Sequence, residues 1–176
     1  MTSIDAARAH VLNHFRWIDG HADTWTMLRD AEGLREISEA LAEFLRDEQI
    51  DVVIGIEARG FVLAPMVARQ LGVGFSPVRK NDALFPGETG SRLTTTDYRG
   101  RRQKLTIRSD HFLPGQRVAL VDDWIETGSQ AATVAELIAE MGASLVAIAV
   151  IIDETSAQLK ESLPAIHALV VGDDLP

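Results

Sequence analysis

Short runs rich in Val and Ile alternate along the chain with segments whose apolar residues recur every three to four positions. Val52 to Ile56, Phe75 to Val78, Val118 to Val121, Leu145 to Ile152 and Ala168 to Val171 read as buried strands. Gly33 to Glu48 sets Leu34, Ile37, Leu41, Phe44 and Leu45 at helical spacing, which predicts an amphipathic helix. Phe61 to Leu71 and Gln130 to Met141 follow the same period, with Gly72 and Gly142 suited to end them. Strands alternating with helices predict an α/β fold, a mostly parallel sheet covered by helices. Between Asn81 and Gly115 the pattern changes. Pro86, Gly87, Gly90 and Gly100 interrupt it, Thr94 to Thr96 favour extended chain, and Lys104 to Ile107 alternates. That stretch predicts a loop with an antiparallel excursion from the main sheet, the kind of segment that serves as a lid. With no internal repeat or low-complexity stretch, residues 1–176 are expected to form a single domain.

Composition narrows the function. At 46% hydrophobic and 24% charged, the 176 residues suffice for an ordinary α/β core. A net charge of −9 argues against nucleic acid as a partner, which requires a basic face. An acidic protein that binds an anion must gather its cations locally, so individual Arg and Lys positions matter. The absence of cysteine excludes disulfides and thiolate metal sites and fits a reducing cytoplasm. The start of the chain does not read as a signal peptide, and no apolar run approaches the roughly 20 residues of a membrane span. A cytoplasmic location without membrane contact is expected. His10, His14, His111 and His167 show no ligand-like spacing and read as surface or core residues.

Residues 118–130 carry the densest chemical signal. The apolar run Val118 to Val121 ends in Asp122 and Asp123, and a small polar turn of Thr127, Gly128 and Ser129 leads to a helix opening at Gln130. A helix cap alone would explain the turn. Twin carboxylates where α/β proteins bind their ligands, at the carboxyl end of a strand, favour a site. Unpaired backbone N–H groups at a helix N-terminus suit a phosphate, and the carboxylates can accept from sugar hydroxyls or hold a divalent cation. Together they suit a sugar phosphate. Upstream, Gly60 permits unusual backbone geometry and Arg59 offers a bidentate fork for phosphate oxygens. Arg79 and Lys80 form a basic pair at a strand end that could stabilise a charged leaving group.

These residues resemble a known family. Val121-Asp-Asp-x-x-x-Thr-Gly-Ser129 is similar to the phosphoribosyl diphosphate (PRPP) motif of type I phosphoribosyltransferases. The blocks Ile54-Gly-Ile-Glu-Ala-Arg-Gly-Phe61, Leu71-Gly-Val-Gly-Phe75 and Pro77-Val-Arg-Lys80 resemble adenine phosphoribosyltransferases, and the likeness covers roughly residues 30–155. The resemblance implies that fold, with a small hood and a flexible antiparallel lid. It implies transfer of ribose 5-phosphate from PRPP to a purine, adenine first, yielding a nucleoside monophosphate and pyrophosphate. Asp122, Asp123, Glu126, Thr127, Gly128, Ser129 and Gln130 would hold the ribose and its 5-phosphate, and Glu57, Ala58, Arg59, Gly60, Arg79 and Lys80 the pyrophosphate. The lid would carry Asp97 and Tyr98, where the family has Glu-Tyr. Arg59, Asp97, Tyr98 and Glu126 are the catalytic candidates, with Glu126 imitating the Asp that is the candidate base in hypoxanthine/guanine-type relatives. Mg²⁺ would be held mainly by PRPP, with Asp122 or Asp123 able to add a ligand, and the assembly would be a homodimer. Departures concentrate on the base side. His21-Ala22-Asp23 stands for Phe-Arg-Asp, Trp124 for an aliphatic residue, and Ser129-Gln130 for Gly-Thr. A 6-oxopurine transferase or a PRPP-binding regulator without turnover are the alternatives.

Overall fold

The computed structural model describes residues 2–82, 84–96 and 100–176. Helix α1 (Ser3–His14) opens with a capping box between Thr2 and Asp5. The hairpin of β1 (Arg16–Ile18) and β2 (His21–Asp23) follows. Helix α2 (Ala31–Leu45) starts where the Asp30 side chain accepts from Gly33 N–H. Then come β3 (Val52–Ile56), α3 (Gly60–Leu71), β4 (Gly74–Lys80), β5 (Thr89–Leu93), β6 (Lys104–Arg108), β7 (Arg117–Ile125), α4 (Ser129–Glu140), β8 (Ser144–Asp153), α5 (Ala157–Lys160) and β9 (Ala165–Val171).

Seven strands form one sheet in the order β5-β6-β4-β3-β7-β8-β9, parallel from β4 to β9, with β5 and β6 antiparallel at one edge. Alternate strand residues feed two cores. Val53, Ala119, Val121, Ala147 and Ala149 pack with α1, α2 and α3, while Ile54, Ile56, Leu120, Ile148 and Val150 pack with α4 and β6. The sheet is therefore buried on both faces, which is why its strands read as unbroken apolar runs. From β3 the chain passes to β4 on one side, and it later re-enters on the other side as β7. Helices α3 and α4 leave neighbouring strands toward opposite faces, so a crevice opens beyond the carboxyl ends of β3 and β7.

All five predicted strands and all three predicted helices are present. β7 runs four residues past its expected end, because β8 keeps pairing with it through Asp122↔Val150, Trp124↔Ile152 and Ile125↔Asp153. The twin carboxylates thus lie within a strand. The excursion is the β5–β6 hairpin, continued by Thr94, which exchanges hydrogen bonds with Gln103. Arg92 ties it to α4 through Glu136 and Glu140. Helix α1 and the β1–β2 hairpin were not foreseen.

Candidate active site

The crevice is a cavity of about 780 Å³. One wall is the loop from β3 to α3. Glu57, Ala58 and Arg59 line it, the Glu57–Ala58 peptide being cis. Gly60 starts α3 without lining the cavity, and its role is close approach. A Cβ on Gly60 would lie 2.9 Å from the Gly55 carbonyl carbon, and one on Gly55 would lie 2.3 Å from Gly60 O. Only this glycine pair lets the helix start sit directly on β3. Glu57 faces β4. Its Oε2 accepts from the Lys80 backbone N–H and from Arg79 Nε, each at 3.0 Å. The Lys80 hydrogen bond, then that from Arg79, holds the Glu57 carboxyl below its ordinary pKa despite partial burial. Arg79 is turned to Glu57 and the Leu84 carbonyl, whereas Lys80 lines the cavity. Burial, then the charge of Arg59, lowers the Lys80 pKa against the pull of Asp122, Asp123 and Glu57.

The opposite wall is β7 and its turn. Asp122 Oδ1 accepts the backbone N–H of Asp123 at 2.9 Å. Burial, then the charge of Asp123, pushes Asp122 well above the ordinary carboxylate range. Asp123 is itself buried, takes a 2.7 Å hydrogen bond from the Thr24 hydroxyl, and is ion-paired with Arg59 across the cavity. Glu126, Thr127, Gly128, Ser129 and Gln130 complete this side. Gly128 takes a left-handed φ of 64°, which turns the strand exit into α4. The Thr127 hydroxyl donates to Ser129 Oγ at 3.1 Å. Ser129 N–H makes a long contact of 3.4 Å to Thr127 Oγ1. The N–H groups of Gly128, Gln130 and Ala131 have no protein acceptor among the described residues. A loop with open donors at the positive end of a three-turn helix suits a phosphate.

The third wall is the small hood that the resemblance implies, with His21 and Ala22 on it, while its hairpin and the places of Trp17, Gly20 and Thr24 were not read from the sequence. Trp17, Gly20, His21, Ala22 and Thr24, on and just after the β1–β2 hairpin, close the cavity as a small hood. The available signal was Asp19-Gly20, a two-residue hairpin turn with φ of 50° and 75°. Trp124 stands against the hood, its ring centroid 6.3 Å from that of Trp17 and 6.1 Å from that of Phe15. The Trp124 Nε1–H donates to Glu154 Oε2 at 3.0 Å. Glu154 follows β8 at its carboxyl end, the same edge of the sheet that Asp122 and Asp123 occupy. Arg101 and Gln103 line the cavity from the β5–β6 side. Asp97 and Tyr98 lie outside the described residues.

His10 and His14, read as scattered, are four apart on α1 and come within 4.8 Å of Asp30, counting ligand-capable atoms. His10 Nε2 contacts the Met27 carbonyl at 3.0 Å, His14 Nδ1 contacts the His10 carbonyl at 2.9 Å, and the rings stack. Facing rings tied to main-chain carbonyls serve here to pack α1 against the start of α2.

A switch-point cavity with open N–H donors at a helix start, twin carboxylates and a cationic loop suits a phosphorylated pentose. The phosphoribosyl transferase domain model matches residues 24–169. The chain belongs to the phosphoribosyltransferase family. It is 42% identical over 141 residues to an adenine phosphoribosyltransferase of Clostridium perfringens, covering 80% of each chain. Among solved structures, adenine phosphoribosyltransferase of Thermoanaerobacter pseudethanolicus superposes with a TM-score of 0.84 at 31% identity, covering 93% of this chain and 99% of that one. The Saccharomyces cerevisiae enzyme, complexed with an imino-altritol bisphosphate and adenine, does so with a TM-score of 0.79 at 26% identity, covering 94% and 99%. No described helix is long and apolar enough to cross a membrane.

Proposed function

We propose that this chain transfers ribose 5-phosphate from PRPP to adenine, giving adenosine monophosphate and pyrophosphate. The observation that carries the reading is one cavity lined by open N–H donors at the start of α4, by Asp122 and Asp123, and on the opposite wall by Arg59. That lining suits a pentose carrying phosphate at one end and diphosphate at the other. The relatives named adenine phosphoribosyltransferases support the acceptor.

In this reading the Thr127–Gln130 turn binds the 5-phosphate through main-chain donors and hydroxyls. Asp122 and Asp123 accept from the ribose hydroxyls. Arg59 and Lys80 face the diphosphate, while Arg79 acts through Glu57, which shapes the loop. A base ring nitrogen forms a bond to the anomeric carbon as the bond to the diphosphate oxygen breaks. Pyrophosphate leaves with that electron pair, and the base gives up its ring proton. Most of the acceleration is positioning and stabilisation of charge. Glu126, on the cavity wall, is the candidate base for the ring proton, and Asp97 and Tyr98 are candidates to cover the reacting centre. Adjacent carboxylates, one with a raised pKa, are hard oxygen donors that fit Mg²⁺. When bound, the ion would neutralise diphosphate charge. The chain acts as one domain and as a homodimer in the cytoplasm.

The test is pyrophosphate release with PRPP and Mg²⁺ across adenine, hypoxanthine, guanine and pyrimidine bases. Adenine is expected to give the highest kcat/KM. Preference for a 6-oxopurine would reassign the acceptor, and PRPP binding without release on any base would make the chain a sensor.

A further inference from the structure

Asp123 is the most enclosed charge in the cavity wall, 3% exposed, and its partners come from two segments that the main sheet does not join. Thr24, just past the hood hairpin and 1% exposed, donates to Asp123 Oδ2 at 2.7 Å. Arg59 Nε pairs with the same oxygen from the loop after β3. A carboxylate taken out of water stays ionised and in one orientation only when protein donors replace the lost hydration. The two partners differ in what they can do next. The Arg59 side chain is 40% exposed, and its planar fork is the group that a diphosphate draws to itself. Thr24 is sealed in the hood and has no second partner among the described residues.

We infer that Thr24 is a positioning residue, which holds Asp123 toward the ribose of PRPP once Arg59 has swung from Asp123 to the diphosphate. The inference rests on the function proposed above. Before PRPP arrives, Arg59 sits against Asp123 as an ion pair, although its Nε has no hydrogen-bond partner of good geometry there. When the diphosphate takes Arg59, Asp123 loses its contacting counter-charge and keeps the Thr24 hydroxyl as its fixed donor. The hood then contributes to gripping the sugar as well as to covering the base. A hydrogen bond that merely stapled the hairpin to β7 would disturb every ligand equally, so the two roles separate in measurement.

The experiment compares the full chain with Thr24→Val and Thr24→Ser. Steady-state kinetics give KM for PRPP and for base, and calorimetry gives the Kd of inorganic pyrophosphate, which reaches the Arg59 loop but carries no ribose. Losing a hydrogen bond to a charged group is expected to raise KM for PRPP about tenfold or more in Thr24→Val. KM for base and Kd for pyrophosphate should stay within about twofold, and Thr24→Ser should recover the wild-type KM for PRPP. Unchanged PRPP binding in Thr24→Val, equal weakening of all three ligands, or a serine variant as impaired as the valine one would overturn the inference. If Thr24→Val does not fold, Thr24→Ala replaces it in the same comparison. A wild-type chain that binds no PRPP would overturn the proposed function and this inference together; a wild type that binds, beside a valine variant that binds as tightly, would overturn the inference alone.

Discussion

Glu57 Oε2 accepts two hydrogen bonds from β4, one from the Lys80 main chain and one from the Arg79 guanidinium, each at 3.0 Å. One carboxylate therefore sets the height of the Arg59 loop above the neighbouring strand. Glu57→Gln keeps an acceptor and removes the charge. We expect a loss of stability of about 1 kcal/mol at pH 7 and a kcat/KM lower by about tenfold, since a displaced loop misplaces the leaving group. The Glu57 pKa is lowered in the folded chain from an ordinary value of 4.5, so its contribution is present above that value and fades as pH falls through the lower folded one. Thermal melts of both proteins from pH 3 to pH 7 check this. A gap that widens toward pH 3 would contradict it.

Arg59→Ala and Asp123→Asn should each lower kcat/KM by roughly 10²- to 10³-fold, the scale of one lost charged contact in a transition state. Both should fold, because Arg59 is partly exposed and the amide oxygen introduced by Asp123→Asn would still accept from Thr24. As the two side chains form an ion pair, the double variant should lose less than the product of the two effects. Retained turnover in both single variants would remove these residues from the site.

Asp122 carries its proton to higher pH than a solvated carboxyl does. Sugar hydroxyls and Mg²⁺ both prefer the ionised form. Binding of PRPP with Mg²⁺ should therefore release more protons from the wild type than from Asp122→Asn, and affinity should rise with pH. Calorimetry of both chains in two buffers of different ionisation enthalpy would report this, and equal release from the two would refute it. The sign for stability follows from the same shift. A raised carboxyl contributes fully below its ordinary value of 3.8 and loses that contribution as pH rises through the folded value. Asp122→Asn should thus raise the melting temperature more at pH 8 than at pH 4.

Gly128 combines a left-handed backbone with close packing against the segment that follows α5, since a Cβ there would lie 2.9 Å from Leu163 Cδ1. Gly128→Ala should destabilise the chain by about 1–2 kcal/mol from the backbone alone. If the proposed reading, which seats the 5-phosphate on this turn, holds, the variant should weaken PRPP binding and leave pyrophosphate affinity unchanged. Equal binding of PRPP by the variant would separate the turn from the phosphate.

Much of this arrangement is legible along the chain. Strands buried on both faces announce themselves, as Val52–Ile56 and Leu145–Ile152 do, because nothing polar interrupts them. β7 hides its last four residues because Asp122 and Asp123 read as the end of a strand, although the ladder with β8 runs on beneath them. Helix α1 was lost because it buries only Ala7 and Val11, too few for a periodic stripe, even though Thr2 and Asp5 mark its start. The Thr127–Gln130 turn and the Arg59 loop are each contiguous in sequence and stand out as motifs, and both line the cavity. Thr24 and Asp123 are 99 residues apart, and Trp17, Trp124 and Glu154 meet only through folding. No local pattern encodes a wall assembled from three distant segments. The Glu57 bond to Arg79 was equally invisible, and it holds Arg79 against the loop.

Trp124 adjoins Asp123, and its indole is pinned by Glu154 beside the hood. An indole fixed at that spot is a native fluorophore built into the cavity wall. If the base enters on the hood side as proposed, its arrival should dim or shift that emission, so stopped-flow optics would time it without any label.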